Sequence, residues 1–177
     1  IICTTIFAVT YMKIKLLASC KRAGDKLCAI VAPHLVPKSH PLYNIEDVFN
    51  AIFVKGNMLG DAMFYGSGAG KLPTASAVVG DVVEAAKNPN RSMMATWISE
   101  KLELKDKSEE MKQFFVRIEG NRAELWEQVK VAFGAVSFVE LGSNNNEFGI
   151  VTAEMSEGEY EKISTQFPQI RKMIRMK

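Results

Sequence analysis

The chain has 177 residues, 47% of them hydrophobic and 24% charged, with a formal net charge of +2. That is enough apolar material for one or two buried cores. The mild charge, a pI near 8.4 and the lack of a Lys/Arg cluster interleaved with aromatics argue against a nucleic-acid partner. The three cysteines, Cys3, Cys20 and Cys28, form no Cys-x-x-Cys pair, so neither a disulfide framework nor a zinc site is indicated, and reduced thiols in a cytoplasmic setting are expected.

Leu17-Ala-Ser-Cys20 resembles a lipoprotein cleavage site. Against that reading, no basic segment precedes the apolar Ile1–Met12 run, and Lys13 and Lys15 interrupt it. No stretch approaches the length of a membrane span. The chain does not begin with Met and is expected to be a piece of a longer polypeptide.

A short helix is expected over Thr4–Thr10. Met12, Ile14 and Leu16 alternate with Lys13 and Lys15, the period of a half-buried strand. Strands over Tyr11–Lys21 and Lys26–Ala32 should pair across Arg22–Asp25. Pro33 to Pro41 reads as a loop, and the only two histidines, His34 and His40, stand beside its prolines as loop residues rather than metal ligands. Ala51–Val54 and Ala62–Tyr65 suggest a second hairpin.

Gly66-Ser-Gly-Ala-Gly70-Lys then leads into a helix running from Pro73 or Thr74 to about Lys87. Proline suits a first helical turn, where its missing N–H would be unpaired anyway. The stripe Ala75, Val78, Val79, Val82 and Val83 is expected to pack in a core. Alternate glycines let backbone approach a ligand closely, and the uncapped N–H groups and positive dipole end of the helix favour an anionic or strongly polar group. Neither standard phosphate motif fits: Leu72 stands where a P-loop needs a hydroxyl, and Lys71 or Pro73 stands where a dinucleotide fingerprint needs glycine.

Glu100–Lys112 is dense in mixed charge and reads as a solvated linker. Beyond it come a strand over Phe114–Glu119 and a helix over Ala123–Phe133 with Leu125, Trp126, Val129 and Phe133 on one face. Strands Ala135–Leu141 and Phe148–Glu154 follow, joined by Gly142–Asn146. The remaining elements are a helix over Glu157–Phe167 with a Ser156/Glu159 capping box, and a strand over Ile170–Met176. The order βαββαβ is the ferredoxin-like unit. The fold class is therefore α+β.

Gly68-Ala-Gly70-x-x-Pro-Thr-Ala-Ser-Ala-Val-Val-x-Asp81, preceded by His40-Pro-Leu, Val48-Phe-Asn-Ala-Ile-Phe-Val54 and Gly60–Gly66, resembles the signature segment of homoserine dehydrogenases, and the likeness covers about Lys13–Lys87. It implies part of a substrate-binding and dimerisation domain over residues 1–103, a charged linker over 104–112 and an ACT-like domain over 113–177. The implied activity transfers a hydride between a nicotinamide cofactor, NAD or NADP, and the L-aspartate semialdehyde/L-homoserine pair of threonine and methionine biosynthesis.

Under that resemblance Gly68, Ala69 and Gly70 approach the nicotinamide end of the cofactor, and Thr74 offers a hydroxyl beside them. Ser76 is a weaker candidate, Asp81 a packing or helix-surface residue, and Lys71 an exposed side chain. The catalytic lysine, the acidic substrate-gripping residues and the nucleotide-binding domain lie upstream of the matched region. No catalytic residue and no metal ligand is therefore expected in this chain, which alone should be inactive. A homodimer or higher homo-oligomer is implied, with neither nucleic acid nor membrane as partner.

ACT domains commonly bind an amino-acid effector, threonine in this family, at the turn after the first strand. Here that turn is Glu119-Gly-Asn-Arg-Ala123 and lacks the usual Pro-Gly pair, so a structural or dimerising role is expected. Two other readings remain: a stand-alone amino-acid-binding regulatory module, and an oligomerisation piece without a ligand.

Overall fold

A long hairpin opens the computed structural model, which describes residues 11–91, 99–141 and 146–177. The expected Thr4–Thr10 helix and most of the 142–146 turn lie outside the described residues. Strands β1 (Met12–Ala23) and β2 (Lys26–Pro37) pair antiparallel along their whole length, from Met12 opposite Pro37 to Ala23 opposite Lys26.

Strand β2 thus runs four residues past the turn-signal proline at Pro33, where a loop was expected. Ladder parity explains how. The carbonyls of Leu27 and Leu35 accept from the N–H groups of Lys105 and Lys177, at 2.8 and 3.0 Å. Odd-numbered residues of β2 therefore turn their backbone groups away from β1. Pro33 and Pro37 are both odd-numbered, so their missing donors leave the β1 ladder intact.

The alternation in β1 has the opposite polarity from the one expected. Ile14 and Leu16 are 61% and 72% exposed. Lys13, Lys15 and Leu17 stand opposite Val36, His34 and Ala32, which are buried, and so share the covered face. Lysine tolerates this because its aliphatic stem can lie on apolar surface while the ammonium stays wet. The Lys13 ammonium rests 4.6 Å from the Tyr43 ring centroid.

Strands β3 (Phe49–Gly56) and β4 (Gly60–Ser67) form a separate antiparallel pair, extending the expected hairpin at both ends. Helix α1 (Lys71–Lys87) follows. Its valine stripe is not core among the described residues: Val78, Val79, Val82 and Val83 are 57%, 60%, 62% and 44% exposed. Two strands and one helix offer too little surface to enclose a core.

The segment expected as a solvated linker is tied down. It carries β5 (Glu103–Leu104), parallel to β2, and β6 (Met111–Lys112), paired with β10 (Met155–Ser156). Between them Glu110 is buried and bridged to Lys112 at 3.2 Å. Burial pushes the Glu110 carboxyl up, but the hydrogen bond and charge of Lys112 outweigh it and hold the group below its usual range.

The βαββαβ expectation is met by β7 (Phe114–Glu119), α2 (Arg122–Phe133), β8 (Val136–Val139), β9 (Glu147–Thr152), α3 (Glu157–Gln166) and β11 (Ile170–Met176). Their sheet order, β11-β7-β9-β8, places the last strand beside the first. Alternation in β7 sends Phe114, Val116 and Ile118 into a core with Phe148, Ile150, Val129, Phe133 and Tyr160. The Tyr160 ring packs tilted against Phe114 with centroids 4.7 Å apart, and burial pushes its hydroxyl up to about 12. Strand β11 also pairs parallel with β2, Arg175 opposite His34 and Met176 opposite Leu35, so the sheet continues into the first hairpin. The chain divides into two compact units, Ile1–Tyr43 with Leu102–Lys177, and Asn44–Lys101.

The capping box of α3 is complete. Ser156 Oγ accepts from the Glu159 N–H at 3.1 Å, and Glu159 Oε2 accepts from the Ser156 N–H and hydroxyl at 2.8 and 2.9 Å. These bonds, the backbone one first, hold the Glu159 carboxyl below its usual range. A depressed carboxylate stabilises the fold above its unfolded pKa, and that contribution disappears as pH falls through the folded value. Ser156→Ala should cost about 1 kcal/mol at neutral pH. NMR titration should show Glu159 moving only part of the way up toward an ordinary glutamate, because the residue 156 backbone donor remains; an unmoved titration would assign the shift to that backbone bond alone.

Candidate functional site

Residue 68 begins the segment that joins β4 to α1. The Gly68 N–H donates to the Val48 carbonyl at 3.3 Å, holding the chain against the entry to β3. Gly70 is the N-cap residue of α1 at φ 119° and ψ 154°, with no side-chain cap on the helix. That conformation is essentially confined to glycine. The first helical hydrogen bond runs from the Thr74 N–H to the Gly70 carbonyl at 3.1 Å. Pro73 has no N–H to satisfy, which leaves those of Lys71 and Leu72 at an uncapped helix N-terminus with the positive end of the dipole.

The four proposed contact residues, Gly68, Ala69, Gly70 and Thr74, are therefore grouped at one end of α1, all exposed. Ser76 and Asp81 lie further along the helix, also exposed, and Lys71 is exposed as expected. Sequence reasoning did not single out Asn50. A Cβ built on Gly68 would fall 1.9 Å from Asn50 Nδ2 and 2.6 Å from its Cγ. The available signal was a lone carboxamide inside the apolar run Val48–Val54.

His34 is the clearest correction among the expected loop residues. It is 2% exposed in β2, and its Nδ1–H donates to the Ala32 carbonyl at 2.9 Å. Burial pushes its pKa down, so the ring is neutral. The Cys28 thiol is pushed up, first by burial and then by its hydrogen bond to Glu110, which makes it a poor nucleophile. No group of three or more potential metal ligands occurs among the described residues. None of their helices is long and apolar enough to cross a membrane.

Two backbone donors of the turn between β7 and α2 are committed. The Gly120 N–H donates to the Asn146 carbonyl at 2.8 Å, and Asn121 Oδ1 accepts from the Ala123 N–H at 2.8 Å. Arg122 places its guanidinium carbon 3.9 Å from the Phe138 ring centroid.

Fold and candidate site together define an α+β protein with a ferredoxin-like unit and a glycine turn that opens a helix. Residues 8–83 match the family model for homoserine dehydrogenase. The chain is 54% identical over 80 residues to homoserine dehydrogenase of Corynebacterium glutamicum and 46% identical over 74 residues to that of Bacillus subtilis, in each case 42% of this chain. Those stretches make up 18% and 17% of the two relatives.

Among solved structures, a homoserine dehydrogenase from S. aureus superposes with a TM-score of 0.70 at 28% identity over 95% of this chain and 42% of its own. One from Thiobacillus denitrificans shares the fold, with a TM-score of 0.78 at 20% identity over 95% of this chain and 43% of its own. The chain thus spans less than half the length of the homoserine dehydrogenase structures it matches.

Proposed function

We propose that this chain is the C-terminal portion of a homoserine dehydrogenase, an oxidoreductase that uses NAD or NADP to interconvert L-aspartate semialdehyde and L-homoserine in threonine and methionine biosynthesis. The observation that carries the reading is the family match over residues 8–83, which contains the whole glycine turn and most of α1. In this reading residues 1–103 are part of the catalytic and dimerisation domain and residues 113–177 are an ACT-like domain. The protein works in the cytoplasm as a homodimer or higher homo-oligomer.

The residues present suit one side of a nicotinamide cofactor. Gly70 leaves open the space that a Cβ would fill, and the Lys71 and Leu72 N–H groups can donate to a carbonyl or anionic oxygen. Thr74 adds a hydroxyl one turn further on. The cofactor itself supplies the hydride chemistry, while these groups bind and orient it. The full-length polypeptide should oxidise NADPH or NADH in the presence of L-aspartate semialdehyde, and residues 1–177 alone should not. A full-length protein without nicotinamide-dependent turnover would overturn the assignment.

For the ACT-like domain a structural role is favoured over effector binding, because the Gly120 and Ala123 N–H groups are already committed to Asn146 and Asn121. Titration calorimetry of the full-length protein with threonine should give no binding heat. A saturable signal would restore the regulatory reading.

A further inference from the structure

We infer that Asn50 is a positioning residue for the glycine turn, and that position 68 is glycine to seat Asn50 rather than to admit ligand. This rests on the assignment of the turn as one wall of a nicotinamide-cofactor site. The three glycines near the turn differ in what surrounds them. A Cβ on Gly66 would meet nothing within 4 Å, and one on Gly70 would meet only the Pro73 ring, at 3.5 Å and beyond. A Cβ on Gly68 would collide with Asn50 at Nδ2, Cγ and Cβ, at 1.9, 2.6 and 3.0 Å. Gly70 is therefore required by its dihedrals, and Gly68 by its neighbour.

The register explains why Asn50 reaches the turn. Asn50 stands opposite Gly66, next to the last pair of the hairpin, Phe49 with Ser67. Stacking of Phe49 on Tyr65, with ring centroids 5.0 Å apart, braces the same end of the ladder. The Gly68 N–H bond to Val48 then draws the turn back over the start of β3, onto the Asn50 side chain. Asparagine is disfavoured inside a strand, and a β-branched residue would suit a pleated ladder better. Packing of this exposed side chain against Gly68, two residues before the α1 N-cap, gives it a reason to be there, because displacing that segment would move the Lys71 and Leu72 N–H groups.

The test uses the full-length polypeptide, with NADPH affinity read by fluorescence titration and thermal melting read in parallel. Gly68→Ala should weaken NADPH binding by about tenfold or more, as expected when a binding element is displaced. Asn50→Gly combined with Gly68→Ala removes the clash but also the positioning side chain, and should return affinity from the Gly68→Ala level to about the several-fold deficit of Asn50→Ala. Asn50→Ala, which introduces no clash, should weaken NADPH binding several-fold while the melting temperature stays near wild type.

A double variant as weak as Gly68→Ala would overturn the proposal, because the ligand itself would then need the space. Wild-type affinity in Gly68→Ala, or in Asn50→Ala, would overturn it as well. Absence of both NADPH and NADH binding in the wild-type protein would overturn the cofactor assignment and the positioning role together, an outcome distinct from a failed rescue.

Discussion

Gly70→Val in the full-length polypeptide raises the cofactor KM on the order of a hundredfold or abolishes turnover, because a displaced binding element costs about that much. The effect starts in the backbone. At φ 119° and ψ 154° the residue lies where a Cβ meets its own peptide groups, and β-branching makes matters worse. The cost of holding valine there is about 1–3 kcal/mol or more, so the segment rearranges instead. That rearrangement moves the N-cap of α1 and, with it, the two uncapped N–H groups proposed to meet the cofactor.

The defect should be local. Unit Ile1–Tyr43 with Leu102–Lys177 does not contain residue 70, so far-ultraviolet circular dichroism should remain near wild type. Gly66→Ala is the matched control: it lies in β4, with open space where its Cβ would go. Equal kinetics for Gly70→Val and wild type would remove the turn from the cofactor site.

Arg175→Met carries the largest expected loss of stability. Glu157 is 1% exposed at the first position of α3, and the Arg175 guanidinium pairs with it in fork geometry, Nη2 to Oε2 at 2.6 Å and Nε to Oε1. Removing the cation strands a buried carboxylate, at a cost of about 3–5 kcal/mol. Replacing both partners, Arg175→Met with Glu157→Leu, should recover most of that, since no buried charge is then left unpaired. Arg175 also lies opposite His34 of β2 and Phe114 of β7, so the loss should loosen the joint between the first hairpin and the ferredoxin-like unit. Urea unfolding of the wild type and these two variants decides the matter. A double variant no more stable than Arg175→Met would show that packing, rather than the stranded charge, sets the cost.

Local patterns made most elements legible. Both hairpins, α1, the capping box at Ser156 and the βαββαβ order came from alternation, turn residues and helical spacing, which act over a few neighbours. The glycine turn was legible as an uncapped helix start for the same reason, since glycine spacing and the absence of a capping side chain are local facts. Asn50 was not, because its role depends on which residue faces Gly66 across a ladder and on a chain that folds back over it. Pro33 was misleading because a proline's effect depends on the side to which its missing donor points. That side is settled only once Lys105 and Lys177 are seen to bond the far edge of β2.

The sequence by itself determined the α+β class, the order of elements and the resemblance to homoserine dehydrogenase, all properties of short-range pattern. Only the tertiary structure decided which face of β1 is covered, that His34 and Glu110 are buried, and that β11 joins β2 to make one sheet from segments more than a hundred residues apart. It also decided that the valine stripe of α1 lies exposed among the described residues. Burial and strand partnership are set by what the rest of the chain brings to each surface, and a periodic sequence marks an apolar stripe without saying what will cover it.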